Sequence, residues 1–173
     1  MKKEKIEQRL TRSAYAYLDR YGSSVHNLKK VLRRKARRFL DDDAIANEDL
    51  ETIIEAVVGK CQSYGFVDDK VFAQSKVSSL RRKGGSTRKI MASLAAKGID
   101  QDTAQQAIET VQVDDGEAAL RYAQRRRLGP FRSTEGERLV RRERDIAAMC
   151  RAGFSVSLAI QVIDGEIDGQ GED

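Results

Sequence analysis

The chain of 173 residues has no tryptophan, one proline, one histidine and two cysteines, and each scarcity closes a class of explanation. With one proline, long helices are uninterrupted by missing backbone donors. Cys61 and Cys150 belong to no CxxC or Cys/His cluster, and each falls on the apolar side of a predicted helix, where a thiol behaves as a small hydrophobe. His26 and two such distant cysteines do not make a zinc site by sequence. No apolar run approaches the roughly 18 residues that span a membrane, and the opening MKKEKIEQRL lacks the apolar core of a signal peptide, so a soluble cytoplasmic protein is expected. Strand-like alternation is missing as well.

Catalytic signatures are equally thin. The stretch RRKGGSTRK at Arg81 to Lys89 is not GxxxxGK[ST] and follows a helix instead of a strand. A turn and helix cap account for Gly84, Gly85 and Ser86, although free N–H groups beside Arg81, Arg82, Lys83, Arg88 and Lys89 would suit a phosphate. Asp68 and Asp69, adjacent carboxylates, read as a helix cap with favourable dipole interaction. His26 has no nucleophile motif to complete a Ser-His-Asp set. The expectation is a protein without enzymatic activity, cofactor or metal.

What the chain does have is a repeat. Tyr21-Gly22-Ser23-Ser24, Leu28, Leu32 and Lys35 map at a constant offset onto Lys83-Gly84-Gly85-Ser86, Ile90, Leu94 and Lys97. A fainter copy brings Lys97-Gly98-Ile99 onto Ala152-Gly153-Phe154, with Leu94 on Met149, Ala104 on Ala159 and Ile108 on Ile163. Repeated turns, caps and helix faces point to copies of one module and to a contact surface more than a single catalytic pocket.

Helical periodicity fills in the modules. Leu10, Ala14, Tyr17 and Tyr21 share one face. A second helix, capped by Ser23 or Ser24, carries Leu28, Val31, Leu32 and Phe39, with Arg33, Arg34, Arg37 and Arg38 mostly outward, and is broken by Asp41 to Asp43. Leu50, Ile53, Ile54, Val57 and Cys61 define a third helix ending near Tyr64-Gly65. The middle module starts from a cap at Asp68 or Asp69 with Phe72, Ala73, Val77 and Leu80. Its second helix, capped by Ser86 or Thr87, carries Ile90, Met91 and Leu94 up to a left-handed Gly98, and its third starts at Asp100. The last module runs from a helix near Glu117 through the loop Leu128 to Phe131 into helices centred on Ile146 and spanning Ser155 to Ile163. The expected fold is all-α: an elongated array of three tandem three-helix modules resembling helix-turn-helix units, at 1–63, 64–113 and 114–164, followed by a disordered acidic tail, 165–173. Phe66, Phe72, Ile90 and Leu94 are expected in the core.

Charge follows the repeat. Net charge is +10 over residues 1–40, −7 over 41–59, +7 over 60–97, −6 over 98–120, +6 over 121–151 and −5 over 152–173, giving +5 in all. Clustered Lys and Arg attract phosphate or acidic protein surface, while the acidic blocks argue against a simple DNA coat and would suit a basic protein surface.

The Gly-aromatic-x-Asp-Asp turn (Gly65, Phe66, Asp68, Asp69), Phe72-Ala73, the glycine turn, the Ile90 and Leu94 helix and Lys97-Gly98-Ile99 resemble the RecX family of RecA regulators. The likeness extends over Ala14 to Lys35 and over Arg121 to Val162, including LGPFR at Leu128 to Arg132 and RAGFS at Arg151 to Ser155. Gly85-Ser86 and Ala152 depart from the usual family pattern. The resemblance implies a protein that binds RecA and the groove of its DNA filament, bridges protomers and inhibits ATP hydrolysis, strand exchange and filament growth in DNA repair and the SOS response; a monomer is expected. Arg33, Arg34, Arg37, Arg38, Arg81, Arg82, Lys83, Arg88, Lys89, Arg125, Arg126 and Arg127 are then the candidates to contact RecA or DNA, with Arg81, Arg82 and Arg88 expected to project outward. Weak nonspecific DNA binding is expected. A helix-turn-helix-like protein acting directly on DNA is the alternative. An RNA- or ribosome-associated role has support only from composition.

Overall fold

Polar caps divide the chain into short amphipathic helices. The computed structural model describes residues 2–40, 45–112 and 114–167; Asp41 to Asp43 and the end of the expected acidic tail lie outside them. Among the described residues there are nine α-helices and no strand: α1 (Lys2–Leu18), α2 (Val25–Ala36), α3 (Asn47–Ser63), α4 (Asp69–Arg82), α5 (Thr87–Ala95), α6 (Gln101–Thr110), α7 (Asp115–Arg126), α8 (Glu135–Arg151) and α9 (Val156–Asp164). A single 3-10 turn, Gly129–Phe131, separates α7 from α8. Ser24, Asp68, Ser86, Asp100, Asp114 and Ser155 each accept a hydrogen bond from a first-turn N–H, satisfying donors that a helix start leaves unpaired. None of the helices is long and apolar enough to cross a membrane.

Three separate core clusters follow the helix order. Leu10, Ala14, Leu28, Leu32, Ile54, Val57 and Cys61 join α1, α2 and α3, and burial pushes the Cys61 thiol up from its ordinary pKa, the state of an inert structural cysteine. Ala73, Val77, Ile90, Leu94, Ala104, Ala107 and Ile108 join α4, α5 and α6. Ala118, Ala119, Ala123, Met149, Phe154, Ala159 and Val162 join α7, α8 and α9. The inward positions of both sequence copies are therefore buried, including Met149, Ala159 and Ile163 of the fainter one.

Two aromatic assignments need correction. Phe66 is 55% exposed: it follows the left-handed Gly65 that ends α3, and that turn directs its ring outward onto Tyr15, edge to face at 5.4 Å between centroids. The apolar residue of this turn that enters the core is Val67. Tyr21 lies beyond the end of α1 and is exposed, its ring tilted against that of Tyr17 at 5.3 Å between centroids. Phe72 is half-buried against the middle core, whereas Ile90 and Leu94 are fully enclosed, as expected.

Candidate functional surface and the joints that set it

The repeated residues do more than cap their own helices; they fasten each bundle to the next. At the joint between the first and second bundles, the Ser24 hydroxyl donates to the Lys97 carbonyl at 2.6 Å, and the Val25 N–H donates to the Asp69 carboxylate at 2.8 Å. At the second joint, the Ser86 hydroxyl donates to the Ala152 carbonyl at 2.8 Å, and the Thr87 N–H donates to the Asp115 carboxylate at 2.8 Å. Ser86 and Thr87 are Ser24 and Val25 shifted by the first repeat offset, and Ala152 is the copy of Lys97. Asp69 and Asp115 are the first residues of α4 and α7, each preceded by a capping aspartate.

Glycines complete the correspondence. Gly98 adopts φ +72°, and a Cβ there would overlap the side chain of His26. Gly153 adopts φ +98°, where a Cβ would lie 2.5 Å from the Ser86 hydroxyl and 3.5 Å from the Cβ of Arg88, the repeat copy of His26. The two joints are one device used twice.

The second copy is reinforced. Arg81, expected to project outward, is 2% exposed; it continues the Ala73 and Val77 stripe of α4 by one further helical repeat. One guanidinium nitrogen bonds Asp115 at 2.5 Å and the Gly85 carbonyl at 3.1 Å, and the other reaches the Thr87 hydroxyl at 2.7 Å. Burial pushes the Asp115 carboxyl up, but hydrogen bonds from Arg81 and Thr87 together with the Arg81 charge hold it below the usual carboxylate range. Asp19 stands at the Arg81 position of the first copy, so this buried pair has no counterpart there. Gly84 also packs so closely on α7 that a Cβ would lie 2.6 Å from the Tyr122 amide nitrogen, whereas its copy Gly22 faces open space. The Thr87 N–H is thus bound to Asp115, and that of Lys89 to the Ser86 hydroxyl, so the glycine turn is a helix cap and joint and these two donors are not free for phosphate.

The remaining basic candidates separate into three settings. On α2, Arg33 is paired with Glu51 through two hydrogen bonds of 2.7 and 2.6 Å, and Lys29 with Glu55 at 2.6 Å; part of the charge alternation is therefore neutralised inside the first bundle. Arg34, Arg37 and Arg38 stay exposed. Arg82 and Arg88 are exposed on the corner between α4 and α5, and Arg127 is exposed in a left-handed conformation at the end of α7. Lys89, Arg125 and Arg126 come together with Arg151 and Tyr122 around a cavity of about 480 Å³ at the second joint. Lys83 borders an adjoining hollow of about 130 Å³ that shares Lys89, Tyr122 and Arg125.

The LGPFR segment has a structural role. Its Gly129 N–H donates to buried Asp145 at 2.9 Å, and Arg132 grips the same carboxylate through two bonds of 2.8 and 2.6 Å. Burial pushes Asp145 up, but these partners hold it below the ordinary carboxylate range. Sequence reasoning did not single out Asp145, Asp115 as a joint, or Arg151. The available signal was helix phase: Asp145 lies four residues before Met149 on the inner face of α8.

Over 157 residues the chain is 37% identical to regulatory protein RecX of Myxococcus xanthus, spanning 90% of this chain and 84% of that protein. The chain belongs to the RecX family. Its similarity to regulatory protein RecX of Thermobifida fusca is 32% over 146 residues, 83% of this chain and 78% of the relative. The model of the RecX second three-helix domain matches residues 68–108, which contain α4, α5 and nearly all of α6. The fold resembles a crystal structure of regulatory protein RecX with a TM-score of 0.68 at 20% identity, covering 94% of this chain and 73% of that one. It also resembles RecX from Lactobacillus salivarius, with a TM-score of 0.64 at 17% identity over 94% and 97% of the two chains. This chain is thus a member of a family whose relatives are named regulatory proteins, and it is all-helical over its described residues.

Proposed function

We propose that this chain is a non-enzymatic regulator of RecA that lies in the groove of the RecA–DNA filament, bridges neighbouring protomers and inhibits ATP hydrolysis, strand exchange and filament growth. The setting is recombinational DNA repair and the SOS response in the cytoplasm, with the protein acting as a monomer of modules 1–63, 64–113 and 114–164. The observation that carries this reading is the pair of like joints. Bundles linked in turn by the same pair of hydrogen bonds form a repeating array, and an array suits a partner that is itself repetitive, as a helical filament is. A module of about 50 residues is about 25 Å across, so three of them reach past one protomer. Family membership supports the regulatory role, and the exposed cations of α2, the α4–α5 corner and α7 supply charge for the filament's DNA or for acidic RecA surface, along with weak, sequence-independent DNA binding.

The helix-turn-helix alternative draws support from the same cations. It is opposed at two of the three helices that would have to read bases. Recognition helices enter the major groove with their N-terminal residues, yet the first turn of α3 carries Glu48 and Asp49 and that of α6 carries Asp102 behind the Asp100 cap. The starts of α2 and α5 are occupied by the joints.

Co-sedimentation with RecA filaments assembled on single-stranded DNA tests the reading. The protein is expected to pellet with filaments at physiological salt and to pellet far less with the same DNA alone, where only weak binding holds it. Pelleting equally with naked DNA and filament would move the conclusion to the direct DNA-binding alternative.

A further inference from the structure

We propose that the cavity at the second joint is a binding site for consecutive phosphates, which an occupant would bridge between the second and third bundles. Lys89 comes from α5, Arg125, Arg126 and Tyr122 from α7, and Arg151 from the end of α8, all bordering one hollow of about 480 Å³. No carboxylate lines it. Among the described residues none of these four cations, nor Lys83 beside them, has an acidic partner within ion-pair distance. Among the described residues other exposed cations, such as Arg34, Arg38, Arg82 and Arg88, are unpaired as well; what sets this group apart is that three helices bring it round one hollow whose lining holds no carboxylate.

Like charges crowded round a concave surface repel one another and focus a positive potential into it. A multivalent anion relieves that repulsion. Guanidinium groups match phosphate oxygens with paired donors. A phosphate monoester carries about −1.5 to −2 charges, and successive phosphodiesters carry one each, whereas a single protein carboxylate would leave most of this set unneutralised. Tyr122 gives the wall rigidity: its ring packs on Phe154 at 5.7 Å, and the Arg126 guanidinium lies 6.0 Å over it. The phosphates can come from a nucleic-acid strand or from a nucleotide polyphosphate, and both present the same chemistry. This inference does not depend on the RecA reading, since it needs no second protein.

The test uses the full chain without RecA. Anisotropy of a labelled oligo-dT and the thermal midpoint with and without ATP or pyrophosphate are followed for the parent, for Arg125→Glu with Arg151→Glu, and for Arg34→Glu with Arg38→Glu at the C-terminal end of α2, in the first bundle. At least one phosphate ligand should bind the parent and raise its midpoint, since a ligand bound only to the folded form stabilises it. The joint variant should lose about tenfold in affinity and the α2 variant much less. Binding by oligo-dT with no rise of the midpoint from ATP or pyrophosphate identifies a strand as the source; a rise with ATP or pyrophosphate and no oligo-dT binding identifies nucleotide phosphate. Circular dichroism, with Arg125→Gln and Arg151→Gln as a milder pair, separates charge loss from misfolding. The proposal is overturned if no phosphate ligand binds, if both surfaces lose affinity equally, or if a glutamate-rich peptide of equal charge binds as tightly as the oligonucleotide.

Discussion

A methyl group at Gly98 would meet the His26 side chain while forcing an L-residue into φ +72°, and both effects oppose folding. Gly98→Ala should lower stability by more than about 1 kcal/mol, the cost of a left-handed conformation alone, whereas Gly22→Ala, at a position with open space, should leave the urea midpoint almost unchanged. Equal midpoints for the two variants would remove Gly98 from the joint. At the other joint, Asp115→Asn strands the buried Arg81 charge and should cost about 3 kcal/mol, the low end for such a pair because the Gly85 carbonyl and Thr87 hydroxyl remain. The pH dependence has a definite sign. Because Asp115 and Asp145 are held below the ordinary carboxylate range in the folded protein, their contribution is complete above the unfolded value of about 3.9 and is lost as pH falls through the lower folded value. Parent stability should therefore drop steeply below about pH 4 and Asp115→Asn less steeply. Parallel acid limbs in urea titrations at successive pH values would contradict the assignment.

The corner from α4 into α5 shows how neighbouring side chains of one type part company. Arg81 and Arg82 are adjacent in the same basic run, but the helix turns the first inward beside Thr87 and Asp115 and leaves the second in solvent. Arg82→Glu with Arg88→Glu should preserve the helical spectrum and the melting point, because surface changes away from special features shift stability by no more than about 0.5 kcal/mol. If this corner touches the filament, the double variant should inhibit RecA ATPase less well than the parent at equal concentration and salt; undiminished inhibition would leave the corner as solvated surface. Arg81→Glu should instead place a carboxylate against Asp115 and melt the joint, a loss visible by circular dichroism without RecA. The helix caps, the left-handed Gly65 and Gly98 and the inward Ile90 and Leu94 were legible in sequence, since each follows from local chemistry. The outward turn of Phe66 and the inward turn of Arg81 were not, because burial of an aromatic ring or a charge depends on what another element brings to face it.

Across the whole molecule the repeat was readable but its purpose was not: Ser24 and Ser86 each satisfy the rule for a helix cap, and no pattern in the chain announces that both also reach a carbonyl of the next bundle. The difference between the joints became visible only through partners distant in sequence. The second has the Arg81–Asp115 pair and the close approach of Gly84 to α7, and the first has Val25, Asp19 and an open Gly22 in their places. Hydrogen exchange should accordingly detect freer opening between the first two bundles, with the Val25 amide less protected than that of Thr87; the reverse order would show that the buried pair does not stiffen its joint. Such a difference would let the first bundle adjust while the other two stay fixed against a repeating partner. The most direct measurement of that partnership is the RecA ATPase on single-stranded DNA with this protein titrated in. The account predicts that hydrolysis falls as the protein is added, well below one copy per RecA protomer if it stops filament growth and near saturation of the groove if it coats it. ATP hydrolysis that remains at its starting rate with the protein in excess over RecA would contradict the central claim.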